Sequence, residues 1–306
     1  MRTKVRSVQT SLIALAMYTA AAPLAAQHKS GAPATQWASV ESALGRKGAT
    51  LPGGVIKFGF PRTDLSVTVR GVVVKPALAL GGWVAFKKIP HEKAMAMGDL
   101  ELTEDEVSPV MRALQANGVQ QTALHNHILW ESPRVMYMHI SAHGDAATIA
   151  KAIRDGLAQS ATPLGPPSPP AASSAADLDT AGIAKALGVA GTLNGVVYQV
   201  SVPRREKIME MHQVIPPSMG VATGINFQPT GGGKAAITGD FVLLANEVNP
   251  VIRALRDHGI EVTAVHSHML DEMPRLFFMH FWANDDAVTL AKGVRAALDQ
   301  TKSKTH

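Results

Sequence analysis

Apolar and polar positions alternate most cleanly in two stretches of the chain. In the first, Leu124, Ile128, Met136, Met138 and Ile140 are even-numbered while His125, His127 and His139 are odd; in the second, Val265, Met269, Phe277, Met279 and Phe281 stand against His266, His268 and His280. In an extended strand, residues i and i+2 leave on one face. Each stretch therefore predicts a His-bearing hairpin, apolar on one side and histidine on the other. Glu131-Ser132-Pro133-Arg134 and Glu272-Met273-Pro274-Arg275 read as the turns, because proline donates no ladder hydrogen bond. The pattern H-x-H-x3-E-x-P-R-x4-H thus occurs twice, 141 residues apart. If each turn holds an odd number of residues, His139 lies opposite His127, and three imidazoles and a carboxylate converge in each copy.

The remaining periodicity supports a duplication. Strand-like runs at Val55 to Phe60, Ser66 to Val74, Trp83 to Lys87 and Met95 to Leu102 are echoed at Val196 to Val202, Lys207 to Val214, Val221 to Phe227 and Ala235 to Leu244. From Gly98-Asp99 and Gly239-Asp240 the copies align without gaps to Gln159 and Gln300. Helices are expected at Trp37 to Lys47 and Asp179 to Leu187, and at Ser108 to Asn117 and Asn249 to His258, the latter two stopped by Gly118 and Gly259. Further helices should begin at Asp145 and Asp286. Thr103-Glu104-Asp105-Glu106 resembles a capping box. The fold class is α+β: two tandem homologous domains, each an antiparallel sheet of roughly six strands with flanking helices.

Arg2, Lys4 and Arg6 precede a short apolar run, so residues 1–26 read as a signal peptide. After it come a leader (27–35), repeat domain 1 (36–160), a Pro/Ala/Ser-rich linker (161–176) and repeat domain 2 (177–301). A periplasmic or secreted protein with no membrane span after cleavage is expected. The signal carries three of the 29 basic residues; 26 then face 24 acidic ones, and the formal charge falls from +5 to +2. With no basic stripe interleaved with aromatics, a nucleic-acid partner is not expected. Absence of cysteine excludes disulfides and thiolate metal sites.

Any metal must then be held by His, carboxylates or Met. Neutral imidazole suits zinc, copper, iron and nickel, and His125, His127 and His139, with His266, His268 and His280, are the candidate ligands for a divalent transition metal, zinc first. Glu131 and Glu272 are candidate general bases of a metal-dependent hydrolase, or orienters of the ligands. Arg134 and Arg275 could bind an anion bidentately or pair with the nearby glutamates. The alternative reading is a non-enzymatic module for an anionic small molecule or cell-envelope polymer. Met95, Met97, Met136, Met138, Met209 and Met211 could suggest copper(I), although methionine commonly fills apolar strand faces.

At H-x-H-x3-E-x-P-R-x4-H, with Gly98-Asp99 and Gly239-Asp240 ahead of it, the chain resembles the LppY/LpqO family of exported bacterial proteins, which carry a domain of unknown function. The resemblance covers most of the mature chain and implies no established reaction. The lipobox cysteine of the mycobacterial members is missing here, so membrane tethering does not carry over. His125-x-His127-x3-Glu131 is also similar to part of the first cupin motif. The glycines of that motif are absent, and a cupin barrel is not expected.

Overall fold

Period-two alternation sorts the sheet faces throughout. In the strand Lys93–Thr103, Ala94, Ala96, Leu100 and Leu102 pack with the helices of their own half, while Met95, Met97, Asp99 and Glu101 face the other way. The strand Phe277–Asp286 does the same: Met279, Phe281 and Ala283 join the helix-side core, and Phe278, His280 and Trp282 oppose them. Both faces of each sheet are covered, one by helices and one by the other half.

The structure is a computed structural model describing residues 36–91, 93–166 and 177–304. The expected signal peptide, the leader and linker residues 167–176 lie outside the described residues. The first half contains α1 (Ala38–Leu44), β1 (Ala49–Leu51), β2 (Val55–Pro61), β3 (Gly81–Ile89), β4 (Lys93–Thr103), α2 (Glu104–Ala116), β5 (Gln120–His125), β6 (Val135–Gly144) and α3 (Ala146–Leu157). The second half contains α4 (Thr180–Leu187), β7 (Thr192–Asn194), β8 (Val197–Pro203), β9 (Ala222–Gly231), β10 (Lys234–Leu243), α5 (Ala245–Asp257), β11 (Glu261–His266), β12 (Phe277–Asp286) and α6 (Ala287–Leu298). Each half builds a six-stranded sheet, ordered β1-β2-β3-β4-β6-β5 and β7-β8-β9-β10-β12-β11, and neighbouring strands are antiparallel. The layers run helices, sheet, sheet, helices. Each fully buried Phe on the helix side, Phe58, Phe60 and Phe86 in one half and Phe227, Phe241 and Phe281 in the other, stabilises its layer by about 1.5–3 kcal/mol.

Two expectations change. The runs Ser66 to Val74 and Lys207 to Val214 do not enter the main sheets. They form small hairpins, Thr68–Val69 with Val72–Val73 and Met209–Glu210 with Gln213–Val214. Their two-residue turns, Arg70-Gly71 and Met211-His212, have positive φ at both positions, the requirement of a tight hairpin turn. The second change concerns α2 and α5, which begin before Ser108 and Asn249. Backbone N–H groups of Thr103 and Leu244 donate to Glu106 (2.8 Å) and Glu247 (2.7 Å), fixing the start one turn early. Pro109 and Pro250 consequently lie inside the helices.

The same glutamates anchor the Pro-Arg turns. Arg62, almost wholly buried, donates to Glu106 (2.7 Å), Asp64 (2.7 Å) and the Glu101 carbonyl (2.7 Å). Arg204 repeats this with Glu247 (2.7 Å), Glu206 (3.0 Å) and the Val242 carbonyl (2.6 Å). Asp145 and Asp286 cap α3 and α6 by accepting from the N–H of Thr148 and Thr289, each at 2.8 Å. Linker residues 161–166 lie on the first half, where Arg46 donates to the carbonyls of Pro163 (2.7 Å) and Gly165 (2.8 Å).

Each excursion between the second and third main strands of a half packs on the other half's sheet. Val67, Val69, Leu78 and Leu80 meet Val197, Ala236 and Trp282, while Ile208, Ile215 and Met219 meet Val55, Ala85, Met95 and Met97. These methionines are core side chains, in keeping with their apolar character.

Candidate metal centre

The histidines are placed by strand ends that face each other across the two sheets. His125 ends β5 and His266 ends β11, both edge strands. The ladder sets His125 opposite Tyr137 and Ala123 opposite His139. His127 therefore stands beyond the paired residues, in the 126–134 connection, and not opposite His139 as expected. The long 126–134 connection carries His127 past the last ladder pair, while a bulge between Gln121 and Ala123, matched between Val262 and Ala264, shifts the far end of each ladder by one residue. The residue inside each bulge is a threonine that reaches the other half: Thr122 donates to the His268 carbonyl (2.6 Å), and Thr263 to the His127 carbonyl (2.5 Å).

These contacts bring six imidazoles into one cluster, where the sequence pattern suggested one pocket per half. His125 stacks on His266 with ring centroids 3.5 Å apart and His139 on His268 at 3.6 Å, while His127 meets His280 at 3.8 Å with the rings tilted by 31°. Every one of these pairs joins the two halves. Tyr137 lies on the outer face of His127 (3.3 Å) and Phe278 on that of His268 (3.5 Å).

Burial and mutual proximity keep the rings uncharged. Desolvation lowers His125 to about 4 and His266 to about 3, the latter aided by the His125 beside it. Desolvation also lowers His127, His139, His268 and His280 well below the ordinary value, with the neighbouring rings adding to the effect. Nδ1 lies 3.0 Å from the Asn126 carbonyl in His125, and 2.8 Å from the Gly239 carbonyl in His280. A carbonyl only accepts, so Nδ1 carries the proton and Nε2 presents a lone pair. The Nε2 atoms of all six rings are buried and lack a hydrogen-bond partner.

Two carboxylates that sequence reasoning did not assign to the site complete the cluster. Asp99 Oδ2 is 3.7 Å from His127 Nε2 and its Oδ1 3.6 Å from His139 Nε2; Asp240 Oδ2 is 3.4 Å from His268 Nε2. Their Oδ1 atoms are also buried without a hydrogen bond. Burial pushes Asp99 up to about 7, opposed by Lys57, and raises Asp240 well above the usual carboxylate range, with Asp99 adding to it. The available signal was the Gly-Asp pair repeated in β4 and β10, with its Asp on the histidine side. Gly239 leaves no room for a side chain, since a Cβ there would lie 2.0 Å from the Gly224 carbonyl oxygen.

Such a donor set fits a metal ion. His125, His266, His268 and His280 each offer a nitrogen within 4.8 Å of the others, and His125, His127 and His139 do likewise. Buried polar atoms are normally paired, and six unpaired nitrogens facing two unpaired carboxylate oxygens are the surroundings a cation would complete.

Glu131 and Glu272, expected beside the histidines, belong to neither group. Glu272 is buried and braces its loop by accepting from the Leu276 N–H (2.8 Å) and Arg275 (3.2 Å). Glu131 lies near the Val135 N–H and the Tyr137 hydroxyl without a well-formed hydrogen bond, and burial pushes it up to about 8. Arg134 is 66% exposed and 3.6 Å from Glu104, and Arg275 is 48% exposed. Neither arginine lines the cavity at the centre. That cavity, about 810 Å³, lies between the sheets and is bordered by His127, His139, His268, His280, Asp99 and Asp240 on its histidine side.

No curated protein matches the chain. Among solved structures, it is similar to the trimeric bacterial microcompartment shell protein PduB (12% identity, 83% of this chain and 89% of that one, TM-score 0.21) and to EtuB from Clostridium kluyveri (9% identity, 83% and 91%, TM-score 0.20). Both scores are too low to relate the folds. Residues 38–159 and 181–300 each match one family, and the chain belongs to it: the domain of unknown function (DUF1259), carried here twice in tandem.

Proposed function

We propose that this chain is an exported metalloprotein of the LppY/LpqO type, in which the six histidines with Asp99 and Asp240 hold a divalent transition metal, zinc first, at one centre shared by both repeats. The observation that carries this reading is the set of six buried Nε2 atoms without hydrogen-bond partners. Zinc is placed first because it binds both imidazole and carboxylate donors, which iron, copper and nickel also accept. Bonds of about 2.0–2.1 Å keep donors within roughly 4.2 Å of one another, so small ring shifts would close the four-histidine group.

A divalent ion there supplies Lewis acidity, and the adjoining cavity lets a small molecule reach it, which supports a metal-dependent hydrolase. Asp99 and Asp240, next to the Nε2 atoms, are better placed to orient ligands or take a proton than Glu131 and Glu272. A non-enzymatic anion binder using Arg134 and Arg275 finds less support, because both are engaged at the surface. Export to the periplasm or beyond rests on residues 1–26, and N-terminal sequencing of the mature protein checks it.

Metal content of the untagged full-length chain, measured by plasma mass spectrometry, tests the central claim. One or two ions per chain are expected, removable by chelator with a fall in Tm. A metal-free protein whose Tm ignores both chelator and added zinc would sink the reading.

A further inference from the structure

The inner faces of the two sheets carry different side chains at matching places. In the second half, Gln199, Asn226 and Gln228 tie down the first half's excursion, donating to the carbonyls of Ala77, Leu78 and Val73, each at 2.8 Å. In the first half, Lys87 takes the place of Gln228 and donates to the Val214 carbonyl (2.6 Å). Lys57 takes the place of Gln199 but makes no such tie.

Its ammonium lies 3.8 Å over the Trp83 ring, and both side chains line the cavity that reaches the histidine centre. Among the described residues Lys57 has no hydrogen bond and no ion pair within 4.0 Å. A cation half withdrawn from water costs free energy unless an anion or dipoles replace its hydration. Desolvation lowers Lys57 to about 8, with Asp99 opposing.

The remaining acidic groups on the same wall do not fill that role. Glu101 turns to the backbone, accepting from the Gly82 N–H (2.7 Å). Asp99 faces His127 and His139. The opposite wall offers the uncharged Gln199, Ser201, Asn226 and Thr238, and its one acid, Asp240, sits beside His268.

We infer that the cavity binds a small organic oxyanion, a carboxylate or a phosphate monoester, with its charge on the Lys57 ammonium and its body between Trp83 and the second sheet. The inference rests on the metal reading for one feature: the bound cation that offsets Asp99 and Asp240.

Calorimetric titration of the zinc-loaded full-length chain tests it, with succinate and glycerol 2-phosphate as probes and succinamide and glycerol as neutral counterparts. One anion should bind and neither neutral compound should; which anion saturates identifies the group. Lys57→Gln, which copies the second half, should weaken binding about tenfold or more while zinc content and Tm stay put, and Lys57→Arg should remain within about threefold. Unchanged affinity in Lys57→Gln overturns the inference, as does failure of both anions to bind the loaded wild type. If Lys57→Gln instead lowers Tm or zinc content and leaves anion binding alone, the lysine is a structural partner of Asp99. Repeating the titration after chelation separates the two claims: Lys57-dependent binding in a protein that never retains zinc would sink the metal reading and spare this one.

Discussion

The two repeats agree in one set of residues and part company in another. Three histidines, an aspartate, a bulge threonine and an arginine clamped by two carboxylates occur in both halves, and every member of that set sits at the shared centre or at the matching turns. Lys57, Trp83, Glu101 and Tyr137 in the first half stand where the second has Gln199, Gly224, Val242 and Phe278. Three of these four first-half residues line the cavity, and the fourth lies against His127. The residues present twice build the centre, whereas those present once give one wall of the cavity its chemistry.

The largest expected effect tests the equivalence of the clamps. Arg204→Ala strands the buried Glu247, at a cost of about 3–5 kcal/mol in urea unfolding, and Arg62→Ala strands the half-buried Glu106. Arg204 should cost more, since Glu247 is 5% exposed against 13% for Glu106. Burial raises both glutamates, but hydrogen bonds from the arginine and backbone outweigh it and hold them below the usual range. A lowered folded pKa gives stability that is complete above the unfolded value of about 4.3 and is lost as pH falls through the lowered one. Acid should therefore destabilise the wild type below about pH 4, and an equal acid slope in Arg204→Ala would break the argument.

Next comes the centre itself. His125 belongs to both metal-capable groups and His127 to one. His125→Ala should lower zinc affinity about 100-fold or more, and His127→Ala by nearer tenfold, measured by competition with a chromophoric chelator. Identical losses for His125→Ala and His266→Ala would show that the centre is more symmetric than its geometry implies. The smallest effect belongs to Tyr137→Phe, which copies Phe278. It removes the hydrogen bond from the hydroxyl to the Ala79 carbonyl (2.8 Å) and should cost about 1 kcal/mol. A loss beyond about 3 kcal/mol would mean that the hydroxyl also supports Glu131.

Local rules made much of the fold legible. Alternation around His139 and His280 predicts which face meets the helices, and the caps at Asp145, Asp286 and Glu106 follow from side-chain hydrogen bonding to the first turn. The joining of the six histidines was not legible, because strand periodicity says which face a residue takes and nothing about what covers that face. The length of the 126–134 connection also hid Ala123 as the true partner of His139, since alternation does not fix where the ladder ends. Exposed Leu124 and Val265 show the limit of alternation at a sheet edge, where the outer face runs past the last helix. Asp99 was missed because an acid in a strand declares itself only when its ladder partner is known, and that partner is His139.

The reciprocal threonine bonds carry a lesson about assembly. Thr122 gives to one half what Thr263 gives to the other, the self-complementary exchange of an isologous dimer. Two separate chains of one repeat each could make the same face, but only by meeting in solution. Covalent tandem linkage replaces that encounter with an effective concentration of about millimolar, so the pairing withstands dilution that would take a dissociable dimer apart.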